Sequence, residues 1–264
     1  MSEETASAQM ELSGEVRVAQ RVVVLGALSA IAEATARLLA GEGARFALVA
    51  RNRDRLETMA ADLRARGARD VHVFTEDLAD TANASERFAA WRDALGGADA
   101  VLVFYGALGD QKACEEDPEA ALRLIDVNFS SAAVWSQLSA NALERADGGA
   151  LMLISSVAGD RGRRSNYVYG AAKGGLSLLG QGIAHRLAGT GARCVVMKLG
   201  FVDTPMTDGM DKSGFLWARP DDVARSIVRA IHKGGPVQYA PWFWRFIMLA
   251  IRATPAFIFH RTRL

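Results

Sequence analysis

Between Ser156 and Lys173 the sequence reads "SVAGDRGRRSNYVYGAAK" and brings a serine, a tyrosine and a lysine within eighteen residues of one another. If the stretch from about Tyr167 to Leu187 is helical, Tyr169 and Lys173 lie four residues apart on one face. A phenol titrates near 10, too high for easy proton exchange at neutral pH. A neighbouring ammonium favours the phenolate and lowers that value, which would make Tyr169 a usable general acid or base. Ser156 ends an apolar run and its hydroxyl can hold a substrate oxygen. Asn128, in "LIDVNFSSA", can fix a water that relays protons to Lys173, or can be a buried amide bonded to backbone. On these residues alone, a polar loop leading into an ordinary helix stays open as the alternative.

Such groups need a scaffold, and the chain alternates short apolar runs with longer Ala/Leu/Arg segments. That alternation is the pattern of βαβ units and a parallel sheet. Strands are expected at Arg21 to Gly26, Arg45 to Ala50, Val71 to Thr75, Ala100 to Tyr105, Ala150 to Ser155 and Cys194 to Lys198. Helices fill the gaps, giving a single-domain α/β fold with a doubly wound parallel sheet flanked by helices. Its expected extent is residues 21–235, preceded by a disordered leader at 1–20 and followed by an apolar, aromatic extension of the same domain at 236–264.

At 264 residues, 50% hydrophobic and 23% charged, the chain has the balance of a globular protein with a substantial core. A net charge of +1 gives no whole-protein attraction to phosphate polymers, so nucleic acid is not an expected partner. Cys114 and Cys194 match no paired ligand spacing, and the four histidines are scattered, so no metal site is assigned. The cysteine usage suits a reducing cytoplasm.

The first strand runs into "VVVLGALSAIAEATARLLA", where Gly26 marks a strand-to-helix turn and the helix opens around Ser29, Ala30 and Ile31. Such a turn aims helix amides at an anion and lets a diphosphate approach the backbone. Ala30 and Ala32 stand where a dinucleotide fingerprint would carry glycine, so an ordinary βα turn remains an alternative for this segment. After the second strand, Ala50 replaces the acidic residue that would hold ribose hydroxyls, and Arg51 follows, able to pair with a 2′-phosphate. A solvated helix start is the other reading of Arg51. Asp77 and Leu78 follow the third strand, where Asp77 can accept a hydrogen bond from an adenine amine or cap a helix.

The order Gly-turn, Asp77, Asn128, Ser156, Tyr169 and Lys173 resembles the short-chain dehydrogenase/reductase family, with Tyr169 thirteen residues after Ser156 and a Tyr-x-x-x-Lys motif. The resemblance spans Arg21 to about Ala230. It implies a Rossmann-type fold, an NAD(P) cofactor, hydride transfer to or from a carbonyl, and a homodimer or homotetramer built through the helices around Asn128 and Tyr169. It also implies that Tyr105, Gly106, Tyr169, Lys173, Val202 and Thr204 contact the cofactor. The segments "FYGALG" (104–109) and "KLGFVDTPM" (198–206) depart from the family pattern, with Leu199 where proline is usual. NADP(H) is the expected cofactor from Ala50 and Arg51, with NAD(H) second.

Three segments, "FYGALGDQ", "SSVAGDRGRRSNYVYGAAKGGL" and the tail "YAPWFWRFIMLAIRATPAFIFHR", are similar to the decaprenylphosphoryl-2-keto-ribose reductase group. That likeness implies a lipid-linked keto-sugar as substrate. A substrate phosphate would suit Arg161, Arg163 and Arg164, in the loop between Ser156 and Tyr169, although a solvated basic loop is the plainer reading. The tail is too interrupted by Arg245 and Arg252 to span a bilayer. It is a candidate for a subunit interface, a substrate lid, or peripheral contact with the inner face of the membrane through Trp242 and Trp244. Two other functions stay open: a reductase of a small soluble ketone or hydroxy compound with the same site residues, and a non-catalytic dinucleotide-binding protein.

Overall fold

Runs such as "RVVVL" and "RFALVA" are apolar on both strand faces, which suits a parallel sheet covered on both sides rather than one with a wet face. The computed structural model, which describes residues 20–262, shows that arrangement. In chain order it contains β1 (Arg21–Leu25), α1 (Ala30–Gly41), β2 (Arg45–Ala50), α2 (Arg53–Ala65), β3 (Asp70–Thr75), α3 (Ala84–Asp93) and β4 (Ala100–Val103). These are followed by α4 (Gln111–Glu116), α5 (Pro118–Ile125), a π-helical turn (Asp126–Ser130), α6 (Ser131–Arg145), β5 (Gly149–Ser156), a 3₁₀ turn (Val157–Asp160) and α7 (Tyr167–Arg186). The last part comprises β6 (Ala192–Leu199), the short pair β7 (Phe201–Val202) and β8 (Trp217–Ala218), α8 (Pro220–Lys233), β9 (Val237–Ala240), α9 (Trp244–Ala253) and α10 (Ala256–Phe259).

The main sheet is parallel, in the order β3-β2-β1-β4-β5-β6-β9, so the winding direction reverses between β1 and β4. Helices α1, α2 and α8 cover one face through Ile31, Leu39, Leu56, Leu63, Ile227 and Ile231. The other face is covered by α3, α6 and α7 through Phe88, Trp91, Trp135, Leu143, Leu176 and Ile183. This is the single-domain, doubly wound α/β fold anticipated from the sequence. The six expected strands are present, Arg45–Ala50 with the expected ends and the others with ends displaced by at most two residues.

The segment at 236–264 is more than an appendage. Its residues Val237 to Ala240 pair with Val196 to Leu199 as a seventh, edge strand. Helix α9 then packs Trp244 and Met248 onto Val157, alongside Phe201, Tyr239 and Ile251. Trp244, expected with Trp242 at a membrane surface, is only 3% exposed, whereas Trp242 is 68% exposed. The indole presses against Gly200, where any Cβ would overlap it. The expected leader lies outside the described residues apart from Gln20.

Candidate active site

A reversal of winding leaves a crevice outside the carboxyl ends of the strands, because successive connections leave toward opposite faces. Here the crevice is a cavity of about 540 Å³ lined by residues that follow the four central strands: Ser29, Ala30 and Ile31 after β1, Tyr105 and Gly106 after β4, Ser156 at the end of β5, and Val202 and Thr204 after β6. Tyr169 and Lys173 enter it from α7.

Helix α7 places Tyr169 and Lys173 one turn apart, both buried. The Lys173 ammonium donates to the Ile154 carbonyl on β5 at 3.2 Å. Complete burial holds its pKa down to about 8, from an ordinary 10.5. Burial pushes the Tyr169 phenol above its ordinary value, with the Ser156 hydroxyl opposing that shift. The sequence-based expectation had the opposite sign for the tyrosine. In the protein's own environment withdrawal from water sets the direction, since an ionised phenol is penalised by the low dielectric as an ammonium is. Ser156 Oγ accepts from the Ala158 amide at 3.1 Å, which fixes the serine at the start of the 3₁₀ turn.

Asn128 lies in the π-helical turn and is fully buried. Its amide donates to the carbonyls of Ala107 (2.8 Å) and Leu124 (2.9 Å), and its oxygen accepts from the Ala107 amide (3.2 Å). Both N–H groups are therefore engaged, so the side chain is a pin between α5 and the loop after β4, and its amide has no hydrogen left to hold a relay water. It does not line the cavity, although it and Lys173 both border Gly106.

The nucleotide half is built at the turn after β1. Gly26 has φ +81°, and a Cβ there would lie 2.7 Å from the Tyr105 backbone nitrogen, so the turn requires glycine. Ser29 caps α1, its hydroxyl accepting from the Ala32 amide and its carbonyl from the Glu33 amide. The amides of Ala30 and Ile31, which have no intrahelical acceptor, remain for an anion in the cleft. This cradle fits a dinucleotide diphosphate with alanine in place of the fingerprint's glycine.

Arg51 is exposed after β2, outside the cavity lining, whereas Arg55, in the first turn of α2, does line it and bonds the Leu28 carbonyl and Glu33. Sequence reasoning passed over Arg55; the spacing of four from Arg51 was the available signal. Asp77 and Leu78 also lie outside the cavity. One Asp77 oxygen accepts from the Ala79 amide, and the Leu78 carbonyl accepts from the Trp135 indole. Among the described residues no group of three or more His, Cys, Asp or Glu side chains is placed to hold a metal.

The short chain dehydrogenase family model matches residues 20–213, most of the chain and all of the elements that build this cleft. The chain belongs to the short-chain dehydrogenase family. It is 38% identical over 240 residues to an uncharacterised oxidoreductase of Mycobacterium tuberculosis, covering 91% of this chain and 96% of that protein. An uncharacterised oxidoreductase of Streptomyces coelicolor is 36% identical over 245 residues, covering 91% and 94%. Among solved structures, a variant of actinorhodin polyketide ketoreductase with NADPH superposes with a TM-score of 0.75 at 21% identity, covering 85% of this chain and 96% of that one, a likeness of fold.

As a short-chain dehydrogenase the protein is an NAD(P)-dependent oxidoreductase, and the loop from Ser156 to Tyr169 forms part of the cleft wall. The three arginines of that loop part company. Arg161 turns to α9, donating to the carbonyls of Ile251 (2.6 Å), Arg252 (3.1 Å) and Thr254 (2.6 Å) and stacking on Phe259. It caps a helix end. Arg164 is exposed and outside the lining, which leaves Arg163 alone in the cleft wall. Gln111 and Asn166, unremarked in the sequence, line the cleft too, and Gln111 accepts from the Val168 amide at 3.1 Å to tie α4 to the start of α7.

Proposed function

We propose that this short-chain dehydrogenase reduces a ketone with NADPH, and that the ketone is a 2-keto sugar carried on a polyprenyl phosphate. The observation that carries the reductase reading is the meeting of Ser156, Tyr169 and Lys173 in one cavity beside the α1 amides. Bound NADPH supplies a hydride. Tyr169 gives its phenolic proton to the carbonyl oxygen, Ser156 holds that oxygen by a hydrogen bond, and the Lys173 ammonium stabilises the phenolate left behind. Asn128 keeps the loop after β4 against Lys173. Ala50 in place of a carboxylate, with Arg51 and Arg55 beside the nucleotide end, supports NADPH over NADH.

The lipid-linked reading is supported by the substrate side. Met206 and Met210 line the cleft and are exposed, and Phe215, Trp242, Phe246 and Leu249 are exposed too, the three aromatic rings of that set joined through Phe243. From residue 237 onward the sequence has no acidic residue and four arginines, a charge suited to anionic lipid. No helix among the described residues is long and apolar enough to cross a membrane. A small soluble ketone would use the same catalytic groups.

The test follows NADPH and NADH oxidation over neutral ketones and a polyprenyl-phosphate keto-sugar, with sedimentation on vesicles with and without anionic lipid. Tyr169→Phe should lower kcat about 10²- to 10⁴-fold while NADPH binding persists. A variant keeping half of the activity removes Tyr169 from the proton step. Preference for a soluble ketone together with no vesicle binding overturns the lipid-linked reading.

A further inference from the structure

Arg163 is a cation built into the cleft wall without a counter-charge. Its Nε is buried and meets no acceptor, and one Nη contacts only the Met248 sulfur at 3.4 Å. Asp160, the carboxylate whose field reaches it, is already paired with Lys198 and accepts from the Tyr239 hydroxyl at 2.7 Å. Burial holds the guanidinium below its ordinary pKa, the mark of a charge withdrawn from water without full compensation. Asn166, three residues on and in the same lining, has a buried amide oxygen that also lacks a partner. That amide can meet a ligand with its oxygen or, turned over, with its NH₂ group. Both residues line one cavity and each holds a buried polar atom without a partner, which is unusual in a folded protein and points to a ligand bound beside them.

We propose that Arg163 and Asn166 form a subsite, beneath α9, for an oxyanion on the ketone substrate, either a phosphate or a carboxylate. This rests on the reductase reading of the cleft and assigns the recognition of charge to one of the loop's three arginines. A guanidinium binds either oxyanion through paired N–H donors, at strengths of the order of a charged hydrogen bond.

The experiment has two arms. In the first, inorganic phosphate is titrated against protein saturated with NADPH, so that the nucleotide end is filled, and melting temperature is followed. Phosphate should raise it for the wild type and for Arg164→Met, less for Arg163→Lys, and not for Arg163→Met. In the second, kcat/KM is compared for a neutral ketone, a keto acid and a keto phosphate. The wild type should prefer an anionic ketone, and Arg163→Met should lower that preference about 10- to 150-fold. The ratio of keto phosphate to keto acid names the anion. An Arg163→Met protein that melts like the wild type and keeps both the phosphate effect and the substrate preference overturns the subsite. If phosphate binding depends on Arg163 but no ketone is reduced, the reductase reading fails and the subsite stands. If neutral ketones are reduced with no dependence on Arg163 in either arm, the reverse holds.

Discussion

Tyr169 and Lys173 meet the same physical problem from opposite sides, since burial favours the neutral form of each. The phenol is raised and the ammonium lowered to about 8, so in the cofactor-free protein the pair carries one positive charge at neutral pH. Above about 8 the lysine loses its proton while the tyrosine keeps its own, and the charge that stabilises a phenolate disappears. The kcat/KM for ketone reduction should therefore fall as pH rises through about 8, and a flat profile from 7 to about 9.5 would oppose this role for Lys173. Stability should move the other way. The folded pKa lies below the unfolded 10.5, so between about 8 and 10.5 the unfolded chain binds more protons and stability rises with pH. Measured as the difference from Lys173→Met, the cost of the buried charge below pH 8 is on the order of 3 kcal/mol and should shrink across that window.

At the scale of elements, the loop from Ser156 to Tyr169 is held from above by α9 and from below by β6 and β9. Val157 packs on Trp244 and Met248, Arg161 caps the end of α9, and Asp160 joins Lys198 of β6 to Tyr239 of β9. Ser156 thus takes its position partly from α9 and β9. Trp244→Ala should cost about 3–5 kcal/mol in denaturant unfolding, because it opens a cavity against Gly200 and Val157. Trp242→Ala, at an exposed position two residues earlier, should stay within about 0.5 kcal/mol. Equal costs for the two would mean that α9 does not pack as described.

For the whole molecule, the sheet buries its strands between two helical layers and leaves function to one edge. The helices α6 and α7 also present apolar side chains outward: Leu178 is 71% exposed, and Val134 and Tyr167 are exposed as well. Enzymes of the family are commonly oligomeric, and an assembly through α6 and α7 would cover this surface. Leu178→Glu should then reduce the mass seen by light scattering from dimer or tetramer to monomer. An unchanged oligomer would move the interface elsewhere.

The sequence by itself determined six of the seven strands of the main sheet, since short apolar runs alternating with helical segments are a local pattern, and it determined the Tyr169–Lys173 pairing, since a helical spacing of four is local. It did not reveal β9. Val-Gln-Tyr-Ala between Pro236 and Pro241 has no strong strand pattern and becomes a strand only because β6 offers an unpaired edge. Only the tertiary structure separated Arg163 in the cleft from Arg161 on a helix end, and buried Trp244 from exposed Trp242. It alone showed that burial sets the direction of the Tyr169 shift. These outcomes depend on which distant surface each side chain meets, and neighbours dozens of residues away leave no periodicity in the local sequence.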